Sequence, residues 1–259
     1  MQRSSLPSLA MTALRSTKPH SNRLFYSAAS LTLLVLTFIG FRMFYQNMEA
    51  FPGRPLTPPI RTLVIVHGAL MTAWMLLSVV QPLLVASGRK RLHMTLGLFG
   101  TALAVAIVVA SYLVAVNAAR VNPPDLKVFG LTPKEFLTVP LSSIVAFGAF
   151  VLVGIRYRRR PEVHRPMMLM ASIAIVSAAL GRMPAINDWY AGTWLEEWFS
   201  AFLTTLLLGA ILFGIKCTLE RRIDRWFAAA LSALAVVWMI SSLIAKTDVW
   251  VQFATLLMR

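Results

Sequence analysis

Residues 64–97 read VIVHGALMTAWMLLSVVQPLLVASGRKRLHMTLG, and this stretch decides the class of fold. Its first part, 64–86, contains no Asp, Glu, Lys or Arg. It is long enough to cross a bilayer as a helix, which takes about 20 apolar residues. A basic turn with Arg89, Lys90 and Arg91 follows, and the chain then becomes apolar again. The stretch therefore predicts a hairpin of two membrane helices.

The whole chain has the composition of a membrane protein. Of its 259 residues, 58% are hydrophobic and 14% are charged, whereas a soluble domain has about 25% charged residues. Apolar stretches of sufficient length occur at 24–44, 63–86, 94–116, 136–156, 166–184, 198–216 and 226–246. The sequence therefore predicts an all-α integral membrane protein with seven transmembrane helices.

Lysine and arginine alternate between the two sides of these predicted spans. They crowd the N-terminal tail and the second-to-third, fourth-to-fifth and sixth-to-seventh turns, whereas the other loops contain few. This positive-inside pattern predicts a cytoplasmic N-terminus and an outside C-terminus in a bacterial inner (cell) membrane. The net charge of +15 is then explained by topology and by contact with anionic lipids at the cytoplasmic face, not by binding to nucleic acid.

The predicted domain organisation is simple. A basic cytoplasmic tail, 1–23, precedes a single transmembrane domain, 24–259, whose centre is a four-helix bundle from about 63 to 184. Two hairpins of this bundle have similar inner turns, GRKRLHMTLG and YRRRPEVHRPMML, each a basic run followed by a histidine. If the hairpins are repeats of one orientation, His93 and His164 lie at the same depth.

His93 and His164 are therefore candidate metal ligands. Neutral imidazole is a common haem ligand, and two histidines from two helices at one depth can occupy both axial positions of haem b. Arg89, Arg91 and Arg165 would then lie near the haem propionates, which need positive partners. The alternative is that both histidines lie among the arginines at the interface and contact lipid phosphate.

A second candidate site is predicted on the outer side. His67, Trp74 and Gln81 lie within about 40° of one another around the second span, so they form one polar stripe. Arg182 lies near the outer end of the fifth span, and Asp188 follows in the next loop. The plainer interpretation is hydrogen bonding between helices. The functional interpretation is a polar site for an anionic headgroup, a haem propionate or a quinone carbonyl.

Several kinds of chemistry lack their sequence patterns. Cys217 is the only cysteine, so neither an internal disulfide nor a thiolate metal cluster is possible. The chain has no phosphate-binding P-loop, no H-E-x-x-H zinc motif and no G-x-S-x-G nucleophile motif. No predicted span has an acidic residue at its centre, which disfavours an ion-coupled transporter. No catalytic residue is predicted, and whether the chain is an enzyme stays open.

The patterns HG…W…Q…GRKRLH…LG and RRRPEVHRPMML resemble a family of bacterial multi-pass membrane proteins of no known activity. This resemblance covers the second to fifth spans. More distantly, the arrangement of histidines near both membrane faces resembles the two-haem bundles of cytochrome b561 type, which implies haem binding and electron transfer. That pattern has two histidine pairs, whereas this sequence has His67 alone on the outer side and His20 in the tail.

Three functions are therefore predicted as alternatives. The first is a b-haem-binding protein of electron transfer or of a redox complex, with His93 and His164 as iron ligands. The second is a non-enzymatic accessory subunit or assembly factor, whose partner would be a larger membrane complex. The third is a transporter or binder of small molecules or lipids that uses the region of His67 and Arg182.

Overall fold

The computed structural model describes residues 21–259, and helices account for most of this range. The only sheet in it is a short antiparallel hairpin, in which β1 (Glu49–Ala50) pairs with β2 (Arg54–Pro55). The all-α prediction is confirmed for the described residues. The predicted basic tail, 1–23, lies outside them except for the last three residues, which begin the first helix.

The helices follow one another closely, and turns of three or four residues join the long helices in pairs at one end of the molecule. In chain order they are α1 (Ser21–Gly40), α2 (Arg42–Asn47), α3 (Ile60–Ala86), α4 (Lys90–Val121), α5 (Pro133–Phe136), α6 (Thr138–Arg156), α7 (Pro161–Leu180), α8 (Pro184–Asn187), α9 (Trp194–Phe199), α10 (Leu203–Glu220), α11 (Arg225–Ile244) and α12 (Asp248–Leu257). Two 3₁₀ turns, Asp188–Tyr190 and Ser200–Phe202, complete the outer loop before α10.

Six helical stretches of the described chain are long and apolar enough to cross a membrane, which indicates a multi-pass membrane protein. They are Ile60–Ala86, Lys90–Val121, Pro133–Arg156, Pro161–Leu180, Trp194–Glu220 and Arg225–Ile244. They correspond to the second to seventh predicted spans. The first predicted span, 24–44, is divided by a break at Phe41. The apolar part of α1, Leu24–Gly40, is shorter than the other six stretches.

The long helices surround α7. Helices α3, α4, α6 and α7 form a ring in which each contacts the next, and α7 closes the ring against α3. Helix α1 packs on α3 and α7, and α10 and α11 cover the other side of α7. The end of this bundle that carries the α3–α4, α6–α7 and α10–α11 turns is called the inner end below, and the opposite end is called the outer end.

Local chemistry explains where several helices begin and end. Gly88 has a φ of 79°, a conformation that favours glycine, and it allows the chain to turn after α3. Pro161 begins α7, because proline has no N–H to leave unpaired in the first turn. The predicted span 166–184 is therefore displaced, and the helix starts five residues earlier. Asp224 caps α11 by accepting from the backbone N–H groups of Trp226 and Phe227.

One buried asparagine organises the outer loop between α7 and α10. The Asn187 side chain donates to the carbonyl of Leu180 at 2.8 Å, and its oxygen accepts from the hydroxyls of Tyr190 at 3.2 Å and Thr204 at 3.0 Å. Burial, together with the Glu196 carboxylate, raises the pKa of Tyr190 to about 12. The phenol therefore stays protonated and continues to donate at neutral pH.

Helix α1 approaches α7 so closely that only glycine fits at the contact. A Cβ added to Gly40 would lie 2.7 Å from the Cα of Ala179, and backbone atoms cannot move aside as a flexible side chain can. We expect Gly40→Ala to lower the free energy of unfolding by about 1–3 kcal/mol, the usual effect of overpacking. Detergent-induced unfolding of the purified protein measures this change.

Gly214 in α10 provides the matched control, because a Cβ there would meet nothing within 4 Å. We expect Gly214→Ala to be neutral or to stabilise the protein by about 1 kcal/mol at most, since alanine favours helix more than glycine. Equal effects of the two substitutions would contradict the close approach of α1 and α7.

Candidate functional site

The two predicted ligand histidines come together at the inner end of the helix ring. His93 is the fourth residue of α4 and His164 is the fourth residue of α7. Their backbone N–H groups bond to equivalent carbonyls, those of Arg89 at 3.1 Å and Arg160 at 2.9 Å. The ring centroids lie 6.3 Å apart, with the ring planes at 87°. The similar inner turns of the sequence thus place two imidazoles side by side.

The ring of His164 is held by a backbone carbonyl. Its Nδ1 lies 2.8 Å from the carbonyl oxygen of Gly154, which can only accept a hydrogen bond. The proton therefore lies on Nδ1, and Nε2 keeps the lone pair that a metal ligand needs. A histidine whose Nδ1–H is bound to a carbonyl is the usual arrangement at metal sites, because that bond fixes the tautomer and the ring orientation.

The ring of His93 is held by Gln81 of α3. In the orientation that matches donors with acceptors, the Gln81 amide donates to the His93 carbonyl at 3.2 Å and accepts from the Gly97 N–H at 3.1 Å. The same amide nitrogen contacts Nδ1 of His93. The amide N–H donates to Nδ1, so the proton of a neutral His93 lies on Nε2. Ligation through Nε2 would therefore require the proton of His93 to move and the Gln81 contact to Nδ1 to be given up.

Each helix of the ring therefore contributes one group to this site. The groups are the Gln81 amide from α3, the imidazole of His93 from α4, the Gly154 carbonyl from α6 and the imidazole of His164 from α7. Helices α4 and α7 face each other across the ring, so the two imidazoles meet between the four helices.

The charge around the two imidazoles is positive. Arg89, Arg91 and Arg165 are exposed at the inner end, and Arg165 is near enough to both histidines to act on them electrostatically. Among the described residues, only Lys216 and Arg222 form ion pairs. The three arginines near the histidines are thus available to an anionic group of a ligand.

The predicted outer site does not assemble as one group. His67 and Gln81 share a face of α3, but they are separated by about 21 Å along the axis, given a rise of 1.5 Å per residue. Gln81 belongs to the inner site instead. Trp74 lies between them, and its indole N–H donates to Ser172 of α7 at 3.2 Å. Asp188 is exposed in the outer loop and forms no ion pair with the described residues.

His67 and Arg182 do lie near each other at the outer end. His67 Nδ1 is 3.4 Å from the Ser111 hydroxyl, and the ring borders a cavity of about 80 Å³ between α1, α2, α3 and α7. Arg182 stands over the ring of Phe41, another wall of this cavity, at 4.4 Å, and it donates to the carbonyl of Ala178. The cavity is mostly apolar and has room for a few water molecules at most. The contact of His67 with Ser111 joins α3 to α4, whereas Arg182 bonds to the last turn of α7 and packs on Phe41, so helix packing explains these contacts.

Some of the groups that contact the histidines and Trp74 could not be identified from the sequence. Gly154 acts through its carbonyl, which every residue possesses, so no sequence signal identifies it. The sequence distinguishes Ser111 and Ser172 only as polar residues inside apolar helices, which does not identify their partners. Among the described residues, no group of three or more His, Cys, Asp and Glu side chains is placed to hold a metal ion. A site with two protein ligands, as in a bis-histidine haem, remains compatible with that finding.

No family model, curated protein or solved structure shows a significant match to the chain.

Proposed function

We propose that the protein binds one haem b between His93 and His164 and serves as a membrane-embedded electron-transfer or redox-associated protein. The observation that supports this most is the meeting of two imidazoles from facing helices, 6.3 Å apart, at the inner end of the ring. Haem held by two histidines would exchange single electrons.

The spacing and chemistry of the donors fit this ligand. Two metal–nitrogen bonds of about 2 Å and two imidazole radii of about 1.1 Å place the ring centres about 6 Å apart. The Gly154 carbonyl orients His164, and Gln81 orients His93. Arg89, Arg91 and Arg165 would hold the propionates, as their exposed guanidinium groups lie at the same end. These residues of the chain would bind and orient haem, and the surrounding helices would exclude water.

A spectrum of the purified protein tests the proposal. We expect the chain, produced with supplementary haem, to show a Soret band and, in the reduced-minus-oxidised spectrum, the bands of a six-coordinate b-type haem. Pyridine haemochrome analysis should give about one haem per chain, since the described residues hold one such histidine pair. A pure, folded protein without a Soret band would contradict haem binding and would favour the alternative of an accessory subunit.

We further propose that α1 is a seventh span and that the protein is a bacterial inner-membrane protein with its N-terminus in the cytoplasm. Helix α1 has 20 residues, which at 1.5 Å each reach about 30 Å, the thickness of the hydrocarbon core. One side of it packs on α3 and α7, with Leu33 fully buried, while Leu31 and Val35 are exposed, as lipid-facing residues would be. The basic inner turns support the orientation.

Reporter fusions test this topology. We expect alkaline phosphatase fused after Arg259 to be active, because that enzyme folds only outside the cytoplasm, whereas a fusion at Arg158 should be inactive. Green fluorescent protein at the same two positions should give the opposite result and serves as the control. A cytoplasmic C-terminus together with a cytoplasmic Arg158 would mean an even number of spans between these positions and would contradict the three helices α7, α10 and α11. A reporter fused before Ser21 tests α1 itself, because it should be cytoplasmic if α1 spans and outside if α1 does not.

A further inference from the structure

An open groove runs along the membrane-facing side of α6, α7 and α11 near the inner end. Its volume is about 330 Å³. Its apolar walls include Phe150 of α6 and Met167 of α7. Small side chains on its open side create the space, since Ala149, Ala229 and Ala233 are exposed alanines where neighbouring surface positions carry larger residues. The groove is therefore a cleft in a surface that otherwise faces lipid.

The mouth of the groove is aromatic and basic. Tyr157, Arg160 and Trp226 line it, and the guanidinium groups of Arg156 and Arg160 lie 5.7 and 5.8 Å from the centre of the Tyr157 ring. Neither arginine forms an ion pair with a carboxylate in the described part of the chain. Tyrosine and tryptophan favour the level of the lipid headgroups, so the mouth lies where a phosphate would be.

We propose that this groove binds one anionic phospholipid, independently of any haem. The phosphate would bond to Arg160 beside Tyr157 and Trp226, and one acyl chain would lie along Ala229 and Ala233. Basic pockets between membrane helices bind anionic headgroups in this way. A free phosphate would occupy the mouth alone and leave the apolar length of the groove unfilled. The combination of a cationic mouth and an apolar cleft matches a lipid that has both parts.

Lipid titration of the delipidated protein in mild detergent, followed by native mass spectrometry, tests the proposal. We expect one phosphatidylglycerol to bind more tightly than phosphatidylcholine with the same acyl chains. Arg160→Gln should weaken phosphatidylglycerol binding about fivefold, since an arginine near an anionic lipid surface contributes about a factor of that size. Arg158→Gln is the matched control, because it removes the same charge from the same turn outside the groove, and it should change binding less than twofold.

Substitutions that fill the groove test the acyl chain. Ala233→Leu, or Ala229→Leu as a second variant, should abolish retention of the lipid without loss of folding, because both alanines are exposed. Ala102→Leu, at an exposed position of α4, should retain it. Equal losses with Arg158→Gln and Arg160→Gln would show diffuse attraction to a charged surface and overturn the proposal. A change in oligomeric mass in Ala233→Leu alone would overturn it in favour of a second copy of this chain in the groove.

Discussion

Replacement of His164 with alanine should abolish the b-type spectrum. The substitution removes one of the two imidazoles between the facing helices α4 and α7, and it removes the ring that the Gly154 carbonyl orients. His93→Ala should have the same effect, because either change leaves at most one axial ligand. We expect the reduced-minus-oxidised bands to disappear or to change to those of a five-coordinate haem, and the haem content to fall at least tenfold after purification.

His67→Ala is the control for these two variants. It removes a histidine from an apolar helix near the outer end, about 21 Å along α3 from Gln81 of the inner site. The partner of His67 is a serine hydroxyl at 3.4 Å.

 

The His67→Ala variant should keep the full spectrum and the full haem content. Imidazole added to His93→Ala should restore the bands in part, because the lost ring leaves a space of its own size beside Gln81. Thermal unfolding in detergent shows whether each variant is folded. Folded His93→Ala and His164→Ala proteins that keep wild-type bands would exclude this histidine pair as the haem site.

The Lys216→Met substitution should cause the largest loss of stability. Lys216 is only 4% exposed at the inner end of α10, and its ammonium lies 2.5 Å from Glu220 and 3.1 Å from Asp224. It also stands over the rings of Phe25 and Tyr26 of α1, at 5.8 and 5.3 Å. The cluster thus joins α1 to the turn between α10 and α11.

Methionine preserves the length of Lys216 but removes its charge, so two largely buried carboxylates are left without their shared partner. Breaking a buried ion pair from one side costs roughly 3–5 kcal/mol, and we expect a loss of that size in the free energy of unfolding. Detergent-induced unfolding measures it. The double variant Lys216→Met/Glu220→Gln should lose less than Lys216→Met alone, since one of the unpaired charges is then neutral.

Arg222→Gln is the matched comparison for the Lys216 substitution. Its guanidinium also bonds to Glu220, at 3.2 Å, but the side chain is 71% exposed. An exposed pair of this kind contributes about 1 kcal/mol or less. If Lys216→Met cost no more than Arg222→Gln, the cluster would be solvated in the membrane-bound protein and would not hold α1 in place.

The positions of the long helices follow from the sequence because the bilayer imposes them. A segment in hydrocarbon must satisfy its backbone groups internally and be long enough to cross, so apolar length alone identifies six of the helices. Helix α12 has only 10 residues, too few to cross a bilayer, so apolar length does not identify it. In the sequence, Lys216, Glu220 and Asp224 belong to a basic turn between two spans. The structure buries Lys216 against α1 and pairs it with both carboxylates, which no sequence pattern indicates.

The candidate site was predictable in part. The shared pattern of a basic run and a histidine placed His93 and His164 at one depth, and the structure brings their rings together. Helical angles grouped His67 with Gln81, but an angle contains no information about depth, and the two lie at opposite ends of α3. The orienting partner of His164 is the Gly154 carbonyl, which depends on how α6 and α7 pack and has no counterpart in the sequence.

The central position of α7 has a consequence for how the chain is made. Helix α7 is the least apolar and the most buried of the six long helices, and α10 and α11, which cover one side of it, follow it in the chain. During translation, α7 is therefore synthesised before its neighbours α10 and α11. The side of α7 that α10 and α11 cover therefore lacks these partners until both have been inserted, and the last two long helices complete the bundle.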